Sequence, residues 1–564
     1  MNFLDTHLLS IVVFLPLVGA LVSAFLPRGE GGQHKGIAFV TTLATFLVSI
    51  GLWVGFKAPV AGKYAFDERV EWAPALGFSY HIGLDGVALL LVMLTTFLGP
   101  IVVLSAWKFA QTRVKEFCLA LLVLQTAMLG TLASLDLVLF YVFWEAMLIP
   151  MYLLIGVWGS EKRIYAAVKF FLFTFIGSVL MLLAIFYVWS QSGNGGSRTF
   201  DYPTLLASAS FTPEVQMWLF AAFALAFAIK VPMFPLHTWL PDAHTEAPAV
   251  GSVLLAGVML KLGTFGFIRY AMPLFPHAAH EYAIVIATLG VIGIVYGSLM
   301  CMAQTDLKRL IAYSSVAHLG FVMLGLAALT PEAVSGAVMQ MVNHGISTGA
   351  LFLMIGYLYE RTHTRKLADY GGLAAITPGI AAVFLVITLS SIGLPGTNGF
   401  VGEFLVLMGT YTAKLGQGSL FGLDFDKAAV LSAFAATGVI LGAVYMLWMY
   451  QRTMFGPVTR EENKSLKDLS LREWITFAPL LAAIVVIGVQ PQSMLSAIKQ
   501  PVDEFVARVN RADASVAPRT ATGATPARRA PLRPRAGVQG DEPLPVQQLD
   551  RDPDSPILPP SVHR

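Results

Sequence analysis

The sequence predicts an all-α polytopic membrane protein with about fourteen transmembrane helices. Hydrophobic residues make up 56% of the 564 residues and charged residues only 13%, against roughly 25% charged residues in a typical soluble domain. Apolar runs of about 20 residues, the length that crosses a bilayer, recur along most of the chain. The net charge of +3 is too small to indicate nucleic acid as a partner.

Short polar connections separate the apolar runs and define the spans. No basic segment precedes the first run, and no small-residue cleavage site accompanies it. We therefore interpret this run as a retained span and not as a signal peptide. The predicted span cores are 7–26, 36–57, 84–106, 117–134, 137–157, 167–190, 215–240, 248–272, 282–303, 309–328, 333–358, 376–410, 429–451 and 474–496.

Basic residues are distributed unevenly between the two sets of loops. If both termini lie outside, the inner loops contain eighteen Lys and Arg residues and the outer loops contain six. Because cytoplasmic loops carry an excess of Lys and Arg, this asymmetry predicts that both termini are on the outer side. In a bacterial host the chain would be a multi-pass protein of the inner membrane with periplasmic termini.

Two predicted spans are interrupted by proline and glycine. The seventh contains KVPMFPLHTWLP at 230–241, and the twelfth contains GLPGTNGFVG at 393–402. Proline removes a backbone donor and clashes with the preceding turn. Broken helices at membrane depth occur where they are buried in protein or line a wet cavity. A matched pair of broken spans therefore predicts two inverted repeats, spans 4–8 and spans 9–13, with an ion path between them.

Four ionisable residues lie inside apolar runs. A charge at the bilayer centre costs about 2.5–3.5 kcal/mol on insertion scales, so such residues usually face the bundle interior and either pair or line an ion path. Two acids and two lysines predict a proton-transfer chain in which Glu145 is the partner of Lys230; a pair of static salt bridges is the alternative. The four residues are Glu145, Lys230, Lys261 and Glu403.

Histidines supply candidate links in this chain. His318 and His344 fall in mid-span and His237 follows the first break, and imidazole titrates near neutral pH, as a proton relay requires. Taken singly, each is more often an ordinary core residue. None of the three pairs has a helical ligand spacing, so we predict no metal site. The two cysteines, Cys118 and Cys301, cannot supply the clustered thiolates of an iron–sulfur site, so we predict no redox cofactor in this chain.

These signals divide the chain into five predicted segments. The tail has no apolar periodicity and is rich in Pro, Ala and Arg, so we expect it to be disordered. The segments are spans 1–3 (1–116), a first inverted repeat with a proton-uptake half-channel (117–272), a second with a proton-release half-channel (273–452), the last span with the segment after it (453–510), and the tail (511–564).

Five runs of this sequence resemble the antiporter-like membrane subunits of respiratory complex I, the proton-pumping NADH:quinone oxidoreductase. The resemblance covers about 80–460 and rests on FWEAMLIPMYLLIGVWG (143–159), FAIKVPMFPLHTWLPDAHTEAPAVGSVLLAGVMLKLGTFGFIR (227–269), TDLKRLIAYSSVAHLGFV (305–322), VNHGISTGALF (342–352) and GLPGTNGFVGEF (393–404).

The resemblance implies both architecture and function. That family has fourteen core helices, two inverted repeats and broken helices 7 and 12. Its functional glutamate in helix 5 and lysines in helices 7 and 8 match Glu145, Lys230 and Lys261. The family moves protons under the drive of quinone reduction in other subunits. We therefore expect NADH, FMN, iron–sulfur clusters and quinone in partner chains, and no cofactor in this one.

The helix 12 residue separates the relatives within this family. M-type subunits have a glutamate there, whereas L-type and N-type subunits and the cation/proton antiporter chains typically have a lysine. This sequence has Glu403, and we predict no lateral amphipathic helix of L-type after residue 500. Both features favour the M-type. The implied partners are the other membrane-arm subunits, especially the L-type and N-type neighbours and the L-type lateral helix, together with the lipid bilayer.

Three other functions stay open from the sequence. The chain is alternatively a subunit of an Mrp-like cation/proton antiporter, which Glu403 argues against. It is alternatively a subunit of a membrane-bound hydrogenase that uses the same pump module, which the sequence does not exclude. A scaffold without transport function would not need the four intramembrane charges.

Overall fold

The fold is a bundle of long helices with two short β-hairpins. The computed structural model describes residues 7–29, 31–60, 62–193, 197–208, 210–420 and 423–516. In these ranges thirteen helices are long and apolar enough to cross a membrane, by length and composition. The strands are β1 (Ala65–Ala73) with β2 (Phe78–Leu84), and β3 (Gln417–Leu420) with β4 (Leu423–Asp426), each pair antiparallel.

The thirteen helices follow the predicted spans, with ends shifted by a few residues. They are α1 (Leu8–Phe25), α2 (Gly31–Gly55), α3 (Gly86–Ser105), α4 (Val114–Ala133), α5 (Leu137–Trp158), α6 (Arg163–Gln191), α7 (Pro213–Lys230), α9 (Ala249–Leu274), α10 (Pro276–Met302), α11 (Leu307–Ala327), α12 (Pro331–Thr362), α15 (Lys427–Met454) and α16 (Leu471–Val489). The other helices named below are α8 (Trp239–Glu246), α13 (Pro378–Ser391), α14 (Asn398–Tyr411) and α17 (Gln492–Val516).

Aspartates begin several of the helices. The carboxylates of Asp85, Asp136, Asp306 and Asp426 accept backbone N–H groups in the first turns of α3, α5, α11 and α15. The first N–H groups of a helix have no intrahelical partner, and an acidic N-cap satisfies them. The short polar connections therefore set where these spans start.

Both predicted helix breaks are present. The seventh span is divided into α7 and α8 by 231–238, and the twelfth into α13 and α14 by 392–397. Each half of the twelfth span has 14 residues, so neither crosses a bilayer alone. The inverted relation between 117–272 and 273–452, and the count of fourteen spans, stay predictions.

The C-terminal part of the described chain differs from the prediction. The last span ends at Val489 and not near residue 496, and α17 begins at Gln492 and runs to Val516, past the predicted start of the tail at 511. Buried Ile498, Val502, Phe505 and Val509 recur at helical spacing along α17. This helix was not predicted, but it follows the last span directly and packs on the bundle of this chain, so the absence of a lateral helix of L-type stays a prediction. The rest of the predicted tail, 517–564, lies outside the described residues.

Helices α9, α11 and α12 form the centre of the bundle. The most apolar 18-residue stretch of each is entirely buried, whereas in α2, α15 and α16 only about a third of that stretch is. Close backbone packing supports this arrangement. A Cβ atom at Gly320 of α11 would lie 2.6 Å from the Gly290 carbonyl oxygen of α10, so the absence of a side chain lets these two helices touch.

The loops gather at two opposite ends of the bundle. One, the hairpin end, contains β1–β2, 134–136, 197–201 and α17; Phe200 N–H donates to Gly77 and Arg508 donates to the Pro273 carbonyl. The other, the basic end, contains 26–29, 106–113, 159–162, 303–306, 363–377 and 455–470, with hydrogen bonds between segments such as Gly372 N–H to the Phe455 carbonyl. This grouping matches the alternation that the span prediction requires.

A buried histidine, His81, links the β1–β2 hairpin to the neighbouring segment 197–201. His81 of β2 contacts Asp201 Oδ1 through Nδ1 at 2.5 Å and Asp67 Oδ1 through Nε2 at 3.0 Å. Burial disfavours the charged ring, but the hydrogen bonds to Asp201 and Asp67 outweigh it and raise the pKa of His81 to about 9. The ring is therefore an imidazolium at neutral pH, and it joins Asp67 of β1 to Asp201.

We predict that His81→Gln lowers the thermal stability of the purified protein at pH 6. A pKa raised in the folded state contributes stability that is fully present below about pH 6.5, the value of an unperturbed histidine, and is lost as the pH rises through 9. The difference in melting temperature between the variant and the wild type should therefore shrink between pH 6.5 and 9.5. His363→Asn, an exposed residue at the basic end, is the control. A difference that stays constant across this range contradicts the charged clamp.

Candidate proton path in the membrane

The centre of the site is the Lys261 ammonium group in the middle of α9. Its side chain is 1% exposed, and π-helical turns flank it at Leu255–Met259 and Phe267–Ala271. Nζ donates to the Ala256 carbonyl and contacts Nδ1 of His344 at 2.5 Å. A π-helical turn changes the carbonyl register of a helix, and such turns occur often at functional sites. Among the described residues no carboxylate lies within ion-pair distance of Nζ.

Two histidines continue from Lys261 across the centre of the bundle. The rings of His344 (α12) and His318 (α11) have centroids 5.6 Å apart. His318 Nε2 donates to the Ser391 carbonyl at 3.0 Å, and the same nitrogen lies 3.7 Å from Oε1 of Glu403. Ser391 is the last residue of α13, and its carbonyl has no continuing helix to accept from. The second break therefore orients the second histidine.

Glu403 ends this series on α14. Its side chain is 5% exposed, and Oε1 accepts a hydrogen bond from Nε2 of Gln340 at 3.0 Å. Gly393 in the break has a φ of 72°, and a Cβ atom there would lie 2.8 Å from Oε2 of Glu403. A glycine is therefore required at this position both for the backbone and for the space that the carboxyl group occupies.

A small polar cavity lies beside the two histidines. It has a volume of about 10 Å³ and is lined by His318, His344, Asn343 and Ser390, among other residues. This is close to the lower limit for one water molecule, and the lining supplies the polar partners that a buried water needs. Lys261, His344, His318 and Glu403 thus follow one another in space, with room for a water beside the two imidazoles.

Lys230 occupies a separate aromatic site at the first break. It is the last residue of α7 and is 1% exposed. Nζ lies 5.1 Å from the centre of the Trp144 ring and 5.7 Å from that of Phe170. It has no hydrogen-bond partner within the described part of the chain. Aromatic faces attract a cation, but they leave the ammonium protons free for transfer.

Glu145 is close to this site without pairing directly with Lys230. The carboxyl group is half-buried beside Tyr141 and Ser178, and Oε1 has no hydrogen-bond partner among the described residues. In the described ranges Glu145 and Lys230 form neither a hydrogen bond nor an ion pair. Any interaction between Glu145 and Lys230 in this structure is therefore a longer-range electrostatic one. Trp144, the residue before Glu145, is the direct neighbour of Lys230.

His237 does not belong to the series that contains Lys261. Its ring lies in the first break, 5.7 Å from the Phe234 ring and 5.2 Å from the Tyr296 ring. Nδ1 has no hydrogen-bond partner in the described residues. The structure thus brings four of the seven predicted residues together and leaves Glu145, Lys230 and His237 in a second group around the first break.

His244 is a functional candidate that the sequence analysis missed. It lies in α8, is fully buried and stacks on Phe352 of α12 at 4.6 Å, and neither ring nitrogen has a partner among the described residues. Its backbone carbonyl accepts from Ser252 Oγ. A second histidine in the run HTWLPDAHTEAP, seven residues after His237, was the available signal. In the described residues no group of three or more His, Cys, Asp or Glu side chains has a metal-binding arrangement.

Comparison with known proteins identifies the family. The family described as NADH:quinone oxidoreductase/Mrp antiporter, TM, matches residues 134–424. NADH-quinone oxidoreductase subunit M of Rhodobacter capsulatus is 46% identical over 89% of this chain and 96% of its own length. That of Rickettsia prowazekii is 43% identical over 89% and 99%.

Solved structures give the same result. A chain of respiratory complex I from Thermus thermophilus superimposes with a TM-score of 0.79 at 33% identity, over 89% of this chain and 99% of that chain. A chain of the Mrp complex from Dietzia shares the fold, with a TM-score of 0.73 at 22% identity over 89% of this chain and 52% of that one. This chain therefore belongs to the NADH:quinone oxidoreductase/Mrp antiporter membrane family and, within it, to the M subunits of NADH-quinone oxidoreductase.

Proposed function

We propose that this chain is a proton-translocating subunit in the membrane arm of NADH:quinone oxidoreductase and that protons move along Lys261, His344, His318 and Glu403. The observation that supports this most strongly is that four titratable groups follow one another through the buried helices α9, α11, α12 and α14. A static ion pair does not account for Lys261, because its neighbours are an imidazole and a carbonyl. A buried charge without a counter-charge is costly and is characteristic of ion pathways.

A direction from Lys261 towards Glu403 fits these contacts. With Lys261 as the donor to Nδ1 of His344, Nε2 of that neutral ring bears its proton; Nε2 of His318 donates to the Ser391 carbonyl, so Nδ1 of that ring is free to accept. A proton passed from Lys261 to His344 Nδ1 releases the Nε2 proton of His344 towards His318 Nδ1. His318 then releases its Nε2 proton to Glu403. Both imidazoles thus receive at Nδ1 and release at Nε2.

Lys230, Glu145 and His237 are assigned to proton loading at the first break. The aromatic neighbours hold the Lys230 ammonium without accepting a proton from it, and the half-buried Glu145 carboxylate changes the local field as its own charge changes. α7 and α9 pack closely, since a Cβ atom at Gly263 would lie 2.8 Å from the Phe227 carbonyl oxygen. This contact brings the first group next to the helix that carries Lys261.

The drive for this transfer comes from other subunits. We assign NADH, FMN, iron–sulfur clusters and quinone to partner chains, with the L-type and N-type subunits and the L-type lateral helix as neighbours of this one. The basic end is assigned to the cytoplasm and the hairpin end to the periplasm of a bacterial inner membrane. Residue His7 contacts Glu68 of the hairpin and α17 lies at the same end, so both ends of the described chain, near residues 7 and 516, are assigned to the periplasmic side.

We predict that Lys230→Ala abolishes most proton pumping and quinone-coupled NADH oxidation while NADH oxidation by an artificial acceptor stays near the wild-type rate. The substitution removes the buried ammonium group at the start of the first break, but it does not touch the electron-transferring subunits. Membranes of the variant and of Lys464→Ala, an exposed lysine at the basic end, are compared at equal amounts of assembled complex. Normal pumping by assembled Lys230→Ala would rule out this role.

We predict that Glu403→Ala reduces proton flux in proteoliposomes by about a hundredfold, a typical contribution of a positioned proton-transfer group. Glu403→Lys should keep part of the flux because lysine is also titratable. Glu332→Ala, which removes an exposed carboxylate in the first turn of α12, should pump normally. If Glu403→Ala pumps like the wild type at matched assembly, Glu403 is a packing residue.

A further inference from the structure

An apolar groove lies on the side of the bundle formed by α2, α3 and α16. It has a volume of about 270 Å³, with α12 as its floor and the start of α17 at one end. Its described lining consists of Phe, Trp, Leu, Met, Val, Ile and Ala side chains, in which the indole nitrogen of Trp53 is the only polar side-chain atom. Apolar cavities of this size stay dry and bind apolar ligands. The groove is therefore suited to hydrocarbon and not to water or an ion.

The groove opens on an exposed apolar surface of two spans. Val486 of α16 lines it and is 61% exposed, and Val54 of α2, next to the lining residue Trp53, is 78% exposed. On its inner side the groove reaches Val342 and Ile346 of α12, a helix whose most apolar stretch is entirely buried. An apolar molecule from the bilayer thus has access to a helix that the protein otherwise covers.

The groove extends over one half of the membrane. Its lining runs from Phe46 to Trp53 on α2 and from Phe97 to Leu90 on α3, and Trp53 and Leu90 lie nearer the hairpin end. At 1.5 Å per residue, it begins about 5 Å below the ends of these helices and reaches a depth of about 15 Å. This is half of the roughly 30 Å of hydrocarbon in a bilayer. The Phe46 and Phe97 rings, with centres 5.7 Å apart, lie together at the inner end.

The width of the groove fits one hydrocarbon chain. Spread over about 10 Å of length, its volume of about 270 Å³ gives a cross-section of roughly 25 Å², or about 6 Å across. An α-helix of a partner protein, with side chains about 10–12 Å wide, is too large for this space. A methylene chain fits, because its carbons pack about 4 Å from the carbons that surround them.

We propose that this groove binds one acyl chain of a phospholipid from the leaflet at the hairpin end. The terminal methyl group lies at the inner end, beside Phe46 and Phe97. The ester end lies near Trp53, and tryptophan is typical of the level where the hydrocarbon meets the headgroups. The depth, the width and the apolar lining of the groove together select a lipid tail from the molecules that a membrane offers.

The bound chain completes the packing of α3 against α12. Leu94 lines the groove, and a Cβ atom at Gly345 of α12 would lie 2.7 Å from its Cδ2. Gly345 directly follows His344, so the groove is one layer of side chains away from that imidazole. Hydrocarbon in the groove gives the lining dispersion contacts that an empty groove lacks. Binding of the chain does not depend on whether protons follow the proposed path.

The test is photolabelling of the purified, assembled complex in phospholipid nanodiscs. The probes are three phosphatidylethanolamines, with a diazirine at the chain end, next to the ester or in the headgroup, and labelled peptides from α3 and α12 are quantified by mass spectrometry. The variant Ala483→Phe places a ring in the groove. Ala482→Phe, one residue away on the exposed side of α16, is the matched control.

We expect the chain-end probe to label 342–346 and the residues around Phe97, and the ester-end probe to label the residues around Leu90. The headgroup probe should leave 342–346 unlabelled. In Ala483→Phe, chain-end labelling of 342–346 should fall tenfold or more, because each methylene excluded from an apolar site weakens binding about fourfold. In Ala482→Phe it should stay at the wild-type level.

The comparison of the three probes in the wild type keeps the proposal falsifiable if Ala483→Phe does not assemble. No chain-end label on 342–346, as when a partner chain covers the groove, would overturn it. Equal labelling of both ends of the groove by all three probes would do the same. Among the variants, unchanged labelling in Ala483→Phe or an equal loss in Ala482→Phe would contradict an acyl chain at this position.

Discussion

The burial of the Lys261 ammonium group at the centre of a membrane-spanning bundle is the constraint on which the remaining structure depends. An uncompensated charge there is expensive, and in the described structure its neighbours are the Ala256 carbonyl and the His344 imidazole. The π-helical turn at Leu255–Met259 precedes the lysine by one turn, and α12 presents His344 on the facing side. Helices α9, α11 and α12 must therefore lie together away from lipid, and they are the most deeply buried spans.

The second break extends this arrangement by freeing backbone groups at membrane depth. Where α13 ends, the Ser391 carbonyl accepts from His318, and the turn through Gly393 makes room for the Glu403 carboxyl group. An unbroken helix would use that carbonyl internally and would place a Cβ atom against the carboxylate. The same proline and glycine that weaken the twelfth span thus position the two groups at the end of the path.

The sequence predicted most of the fold, because apolar length and helix-breaking residues are local signals. Spans, both breaks and the buried positions of Lys230, Lys261, His318, His344 and Glu403 follow from runs of 10 to 30 residues.

Features that depend on tertiary packing could not be predicted from the sequence. The π-helical turns around Lys261 leave no mark in residue type, and His244 becomes notable only because Phe352 covers it and neither nitrogen has a partner in the described structure. The amphipathic α17 was missed because its polar face dominated the composition after residue 490. The direct link from Glu145 to Lys230 was inferred from charge alone, whereas the contact of Lys230 with the Trp144 ring depends on tertiary packing.

The most direct measurement of the central claim is proton flux in proteoliposomes for His344→Gln, His318→Gln and the double variant. The three variants are compared at equal amounts of assembled complex. Glutamine keeps a hydrogen-bonding side chain, but its amide cannot accept a proton at one nitrogen and release another as an imidazole ring does. If both imidazoles belong to one path, each single variant should lose nearly all flux and the double variant should lose no more, because groups that act in series are not additive. Normal flux in either single variant, or losses that multiply in the double variant, would contradict a single path from Lys261 to Glu403.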